Sequence, residues 1–424
     1  MATLHPFRAV RPRPEYVKEI ASVPYDVVST EEARQRAEGK PRSFLHVVRP
    51  EIDLSPDTDV HDDAVYEQGA RNLRQFVEAE YTVREDAPAV YVYRLVMDGR
   101  EQTGIFAGAS VAEYDDGTIV KHEETRPAKE DDRTRHILAQ QAHAEPVMFT
   151  YRDRDPIHDL VDRVQAGEPL YDFEADDGVR HTLWKVEGAE GLVDAFREVE
   201  HFYIADGHHR CKAASRAAAR LREAAPDEPE DGGEPAGFEL FPAVLFPMSQ
   251  MHVMAYNRIV YELPEPPADF LATLERHLEI ERDVDDPTPP TKGFVCFYLD
   301  GAWHRASLPP SRGVRVVDQL DVARLSEYVL EPLLDVTDPR RDPTIDFVGG
   351  IRGTDELERR VNEGEAQLAV SMYPTRVEEL VAVADEGSLM PPKSTWFEPK
   401  LRSGLLVHDF ADDVPNEATV SPTV

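Results

Sequence analysis

Between positions 202 and 210 the chain changes character abruptly. A short apolar run at 202–205 ends at Asp206 and Gly207, and from His208 the spacing turns helical. Ala214, Ala217, Ala218 and Leu221 share one stripe of that helix, with Arg216 and Arg220 on the other face. The run Asp206, Gly207, His208, His209, Arg210 therefore opens a helix that follows a strand. The first turn of a helix and its dipole form an anion site, and glycine lets a phosphate approach the backbone. Arg210 adds a planar fork suited to phosphate oxygens, and His208 and His209 can donate hydrogen bonds or pass a proton. Asp206 could hold a Mg2+ ion or orient a histidine. The blander alternative makes Asp206 a helix cap beside two solvated histidines. Capping alone explains neither the second histidine nor the arginine.

Two further segments carry chemistry-bearing residues. Residues 121–133 (KHEETRPAKEDDR) contain His122 and Glu123, a candidate base for a hydroxyl proton; their mixed charges equally suit a solvated helix start. Residues 391–400 (PPKSTWFEPK) bring Lys393, Ser394, Thr395 and Lys400 together with Trp396 and Phe397 between prolines. Such a loop can contact an anion or wall off a pocket, and it can equally be a rigid segment packing Trp396 on the core. Residues 23–27 (VPYDV) and the trio Tyr256, Asn257 and Arg258 are pocket-edge candidates.

The elements that must position these residues are legible from periodicity. A polar helix at 31–37, a strand at 44–48 and an acidic helix at 62–79 are expected, then strands at 89–97 and 102–113 joined through Asp98 and Gly99. Strands follow at 146–151, 181–186, 241–246 and 252–262, with a helix at 268–278. A hairpin around Asp300 and Gly301, a helix at 317–334, a strand, helix and strand across 344–372, and a helix at 376–385 complete the chain. Strands and helices in irregular order indicate an α+β protein. Three parts are expected: a β-rich lobe at 1–115, a core at 116–262 with a mobile acidic loop at 223–237, and an α+β lobe at 263–424 that closes the site with the PPKSTWFEPK loop.

Composition narrows the function. With 82 acidic against 47 basic residues the net charge is −35, and only nine lysines are present. That balance suits a salt-rich cytoplasm, where screening relieves self-repulsion. It disfavours a phosphate backbone, so nucleic acid is not expected as a partner. Cys211 and Cys296 stand far apart and form no disulfide framework, which is consistent with a reducing cytoplasm. Neither a signal segment at the N-terminus nor a membrane-spanning run is expected, and the protein is read as soluble.

Taken in order, His122 with Glu123, Asp206 to Arg210, and Pro392 to Thr395 resemble the motifs of the archaeal ADP-dependent free-serine kinases, within the ParB-like and sulfiredoxin-like superfamily. Over its full length, including residues 23–27 and the closing PPKSTWFEPK, the chain is similar to the prokaryotic family known as domain of unknown function 1015. The kinase resemblance implies a ParB/sulfiredoxin-like nucleotide-binding core with added β-rich and α/β elements. It implies catalytic roles for Glu123, Asp206 and His208, and a phosphate or nucleotide site at Gly207, His208, His209, Arg210, Lys393, Ser394 and Thr395. His122, Asn257, Arg258 and Lys400 become substrate-pocket candidates, with Mg2+ at Asp206 and ADP or ATP as cofactors. Lys121 stands where those kinases have proline, and Glu123 and Asp206 lie further apart in sequence than in the compact kinases. The implied activity moves phosphate between a nucleotide and the hydroxyl of free serine or a similar small metabolite. Alternatives are a phosphoserine or phosphoester phosphatase, and a non-catalytic ParB-like nucleotide-binding regulator.

Overall fold

The structure, a computed structural model, describes residues 1–224 and 235–414. Residues 225–234, the centre of the acidic loop expected to be mobile, lie outside the described residues. The protein is α+β and divides into two compact units. The first comprises residues 1–121, 125–251 and 399–424, and the second 122–124 and 252–398.

An eight-stranded mixed sheet organises the first unit. Its order is Ile119–Val120, Phe202–Asp206, Val147–Tyr151, Leu240–Pro247, Arg100–Ser110, Tyr91–Met97, Arg180–Lys185, Tyr171–Glu174. Val147–Tyr151 and Leu240–Pro247 are buried at every position, which is why their sequences run apolar without alternation. Leu240–Pro247 pairs with both Val147–Tyr151 and Arg100–Ser110. The expected boundary at 115/116 therefore falls inside one hydrogen-bonded sheet.

The turn at Asp98 and Gly99 takes positive φ at both residues (52° and 76°), as a two-residue hairpin requires. The expected strand at 102–113 stops at Ser110, whose hydroxyl accepts from the Glu113 amide and caps the helix Val111–Asp116. Residues 44–48, expected as a strand, instead contain the short helix Leu45–Val48. Phe44, Leu45, Val47 and Val48 are all buried, so the apolar run carries no period that separates the two states.

The helix expected from His208 is present as His208–Ala224. Its small-residue stripe, Ala213, Ala214, Ala217 and Ala218, sits in the same apolar cluster as Ile137 and Leu138 of helix Pro127–Gln140. Alanines let the two helices approach closely.

The second unit is built on a six-stranded antiparallel sheet in the order Glu279–Glu281, Ala302–Ser307, Phe294–Leu299, Leu368–Met372, Tyr256–Val260, Ile345–Gly349. Because Tyr256–Val260 pairs with two strands from beyond residue 340, it belongs here and not with the segment before 262. Ile259, Cys296, Tyr298, Trp303, Val348 and Leu357 form its core. The hairpin at Asp300 and Gly301 again has positive φ at both turn residues. The single helix expected at 317–334 is broken into a 3-10 turn, the helix Asp321–Leu325, a π turn at Ser326–Leu330 and the helix Glu331–Leu334. Pro332, which has no amide to offer the helical ladder, follows that π turn. No helix among the described residues is long and apolar enough to cross a membrane.

Candidate functional site

Strand Phe202–Asp206 pairs antiparallel with Val147–Tyr151, but its register shifts between Ile204 and Asp206. An irregularity at the strand's end re-aims the side chain that follows it. Asp206 directs one carboxylate oxygen to the Lys400 ammonium at 3.0 Å and the other towards the Arg210 guanidinium at 3.5 Å. Burial opposes the Asp206 charge, yet Lys400 and Arg210 hold its carboxyl below the ordinary range.

The next residue could only be glycine. Gly207 has φ +109°, and a Cβ there would lie 2.9 Å from Val147 Cγ1 and 3.2 Å from Arg210 Nε. Glycine thus lets the backbone pack against Val147 and close to Arg210 Nε, a buried donor with no hydrogen-bond partner among the described residues. The rest of the Arg210 fork turns inward: one terminal nitrogen donates to the Pro146 carbonyl, and the other lies 3.8 Å from Asp26. Burial opposes its charge, and Asp26 and Asp206 more than offset that, so Arg210 is held more firmly protonated than usual. Gly207, His208 and Arg210 are buried, whereas Asp206 and His209 are half-buried. His209 Nε2 accepts from the Arg126 amide at 3.1 Å, which leaves the ring proton on Nδ1.

Behind Arg210 lies a charge cluster that the sequence disclosed only in part. Tyr25 and Asp26, the pocket-edge candidates, belong to it. So do Glu145 and Arg133, which were not recognised as site residues. Glu145 accepts from the Tyr25 amide at 3.0 Å and from the Ser403 hydroxyl at 3.1 Å. Burial pushes its carboxyl up, against Arg210 and Arg133. Arg133 grips Asp132 through two nitrogens and lies 4.0 Å above the Tyr25 ring. A cavity of about 40 Å³ touches Arg133, Glu145 and Arg210 and is also lined by His136 and His143. His136 Nδ1 and His143 Nε2 have no hydrogen-bond partner among the described residues, and the space is large enough for water. The available signal for Glu145 was a carboxylate directly before Pro146, at the head of a largely apolar, wholly buried strand, where a charge needs partners.

Lys400 is the one candidate from the 391–400 segment that falls in the first unit. The others form a braced loop in the second. Arg258, buried, donates to the Lys393 carbonyl at 3.2 Å and to its near neighbour, the Tyr256 carbonyl. Burial lowers its guanidinium to about 10. Lys393 takes φ +58° and sets its ammonium 5.3 Å from the Tyr256 ring centre. The Ser394 hydroxyl donates to the Pro391 carbonyl, and its own carbonyl accepts from Thr375. Thr395 is half-buried. Asn257 accepts from the Met372 amide at 3.0 Å and so ties two strands together.

His122 and Glu123 belong to the second unit. His122 is buried, which lowers its imidazole to about 3, and its carbonyl accepts from Met390. Glu123 is half-buried, and the neighbouring Glu124 pairs with Arg340.

Asp206 was the expected Mg2+ ligand. Among the described residues no three His, Cys, Asp or Glu side chains converge as a metal would need. Asp206 faces two cations, so an ion held by protein residues alone does not fit there.

Residues 4–323 match the family model described as "Protein of unknown function (DUF1015)". No curated protein matches the chain. Among solved structures, a C-terminally truncated SbnI from Staphylococcus aureus is similar at 12% identity and TM-score 0.36, covering 72% of this chain and 87% of that one. A free serine kinase in complex with AMP is similar at 12% identity and TM-score 0.35, covering 72% and 91%. A conserved hypothetical protein from Pyrococcus furiosus is similar at 12% identity and TM-score 0.36, covering 74% and 97%. At these TM-scores the site's chemistry has to be argued from its own residues.

Proposed function

The chain belongs to the DUF1015 family of proteins of unknown function, and we propose that this member is a phosphotransferase whose phosphate-binding turn is Asp206 to Arg210. The observation that carries the reading is the turn at Gly207: a glycine at the start of a helix, closely packed beside Arg210 Nε, which has no hydrogen-bond partner among the described residues. Helix dipole and guanidinium both favour an anion there. Lys400, a compact charge on a flexible stem, can pass from Asp206 to a phosphate oxygen. Arg210 is anchored by Pro146, Asp26 and Asp206, with its Nε beside Gly207. His208 and His209 complete the turn.

On this reading the ligand is a nucleotide, ADP or ATP, and the acceptor is the hydroxyl of free serine or a similar small metabolite. The hydroxyl oxygen forms a bond to the terminal phosphorus as the bridging P–O bond breaks. Its proton goes to a carboxylate, for which Glu123 is the candidate by motif, and the shortened nucleotide leaves with the bridging oxygen. The net charge of −35 and the scarcity of lysine accord with work in a salt-rich cytoplasm.

The test is an assay for phosphoserine and released phosphate with ADP, ATP and CTP, with and without free serine, at high salt. Nucleotide-dependent formation of phosphoserine is expected. The Glu123→Gln variant should retain most nucleotide affinity while turnover falls about 10²–10⁴-fold. Hydrolysis of phosphoserine without nucleotide would replace the proposal with a phosphatase. Nucleotide binding without turnover of any substrate would replace it with a regulator.

A further inference from the structure

Elsewhere on the first unit a cleft of about 440 Å³ is lined by four cationic residues, Lys18, Arg36, Lys40 and Arg402. In a chain with a charge of −35, a lining of four cations against four carboxylates is locally balanced where most of the surface is acidic. The acidic residues of the lining are Glu15 and three that are paired: Glu19 with Arg42, Asp176 with Lys40, and Asp177 with Arg402. Lys18 and Arg36 make no ion pair among the described residues.

Arg402 is the unusual member. It is only 4% exposed, and its Nε donates to His181 Nε2 at 3.2 Å. The His181 ring is fixed by the Tyr93 hydroxyl at 2.7 Å and stacked between Tyr93 and Phe173. A neutral imidazole orients the guanidinium without cancelling its charge. A buried guanidinium normally needs a buried counter-ion. Here the carboxylate comes from Asp177, whose side chain is 44% exposed. Asp177 sits on the tight turn closed by the Ala175 and Val179 backbones, with Gly178 at φ +80°.

We propose that this cleft is a second binding site, for a small oxyanion such as the carboxylate or phosphate group of a metabolite, and that Asp177 occupies the Arg402 fork as its intramolecular stand-in. The external anion displaces Asp177 from Arg402 and gains Lys18, Arg36 and Lys40 at the rim. The site is distinct from the Asp206 turn and does not depend on phosphoryl transfer.

The experiment is a calorimetric titration of the full chain with inorganic phosphate and, separately, with succinate. Removing the competing carboxylate by Asp177→Asn should tighten binding of at least one of these anions about two- to fivefold. Combining Lys18→Gln with Lys40→Gln should weaken it by a similar factor. Both variants alter exposed side chains, so they remain informative even where Arg402→Gln fails to fold. Lys400→Met should leave this binding in place, which separates it from the Asp206 turn. Unchanged or weaker binding in Asp177→Asn, no measurable binding of either anion, or loss of binding in Lys400→Met would each overturn the proposal.

Discussion

Asp206 and Arg210 hold each other in place at the mouth of a helix. Removing one charge from such a group leaves its partners buried and uncompensated. Arg210→Lys keeps the charge but loses the fork that reaches Pro146, Asp26 and Asp206 while setting Nε beside Gly207. We expect it to weaken nucleotide or phosphate affinity at least about tenfold, the scale of one lost charge-assisted hydrogen bond. Near-equal affinities by calorimetry would remove Arg210 from the phosphate site. Gly207→Ala must adopt a φ of +109° and bring a methyl group to 2.9 Å from Val147. A loss of about 1–3 kcal/mol in urea denaturation is expected, and wild-type stability would show that Val147 gives way to the methyl group. At this scale the sequence identified the residue types at the turn but not their directions. Arg210 reads as a solvent-facing fork in a list of residues, and it turns inward because Asp26 and Pro146 wait behind it.

Strand Tyr256–Val260 shows what one element can do for a loop distant in sequence. Asn257 and Arg258 were expected at a pocket edge; both are buried and act on backbone groups, Asn257 on the Met372 amide and Arg258 on the Lys393 carbonyl. Lys393 sits in the left-handed region, uncommon for a residue with a side chain, and persists there because its neighbours over-determine it. Arg258→Met should therefore speed amide hydrogen exchange across 391–396 while leaving the strands protected, and unchanged exchange would show that Thr375 and Ser394 suffice to hold the loop. Asn257→Ala strands a buried amide and should cost about 1–3 kcal/mol by denaturation. Elements with a local signature were legible: Asp98 with Gly99 and Asp300 with Gly301 announced their hairpins, and the alanine stripe announced its helix. The run at 44–48 was not, because burial on all sides erases the period that distinguishes a strand from a helical turn.

At the scale of the molecule, buried histidines and a large negative charge set the response to solvent. Burial lowers His136, His143, His181 and His408, with a neighbouring arginine adding to the effect at His136 and His181 and the other histidine at His143. In the unfolded chain each titrates near 6.5, so below that pH the unfolded state binds protons that the native state refuses. Stability of the first unit is then complete above about pH 6.5 and declines as pH falls, each histidine contributing a slope of about 1.4 kcal/mol per pH unit until its own folded value is reached. The urea midpoint should drop steadily from pH 7 to pH 5; a flat profile would contradict neutral burial. Strand, turn and helix at 202–224 were determined by the sequence alone, because φ preference and apolar period act between near neighbours. Tertiary structure alone decided that Lys400 meets Asp206 across 194 positions and that Glu145, Arg133 and Tyr25 gather behind Arg210. Ion pairs of that reach leave no periodic trace in a chain, since any of many carboxylates could have met any of many cations until the sheet brought particular ones together.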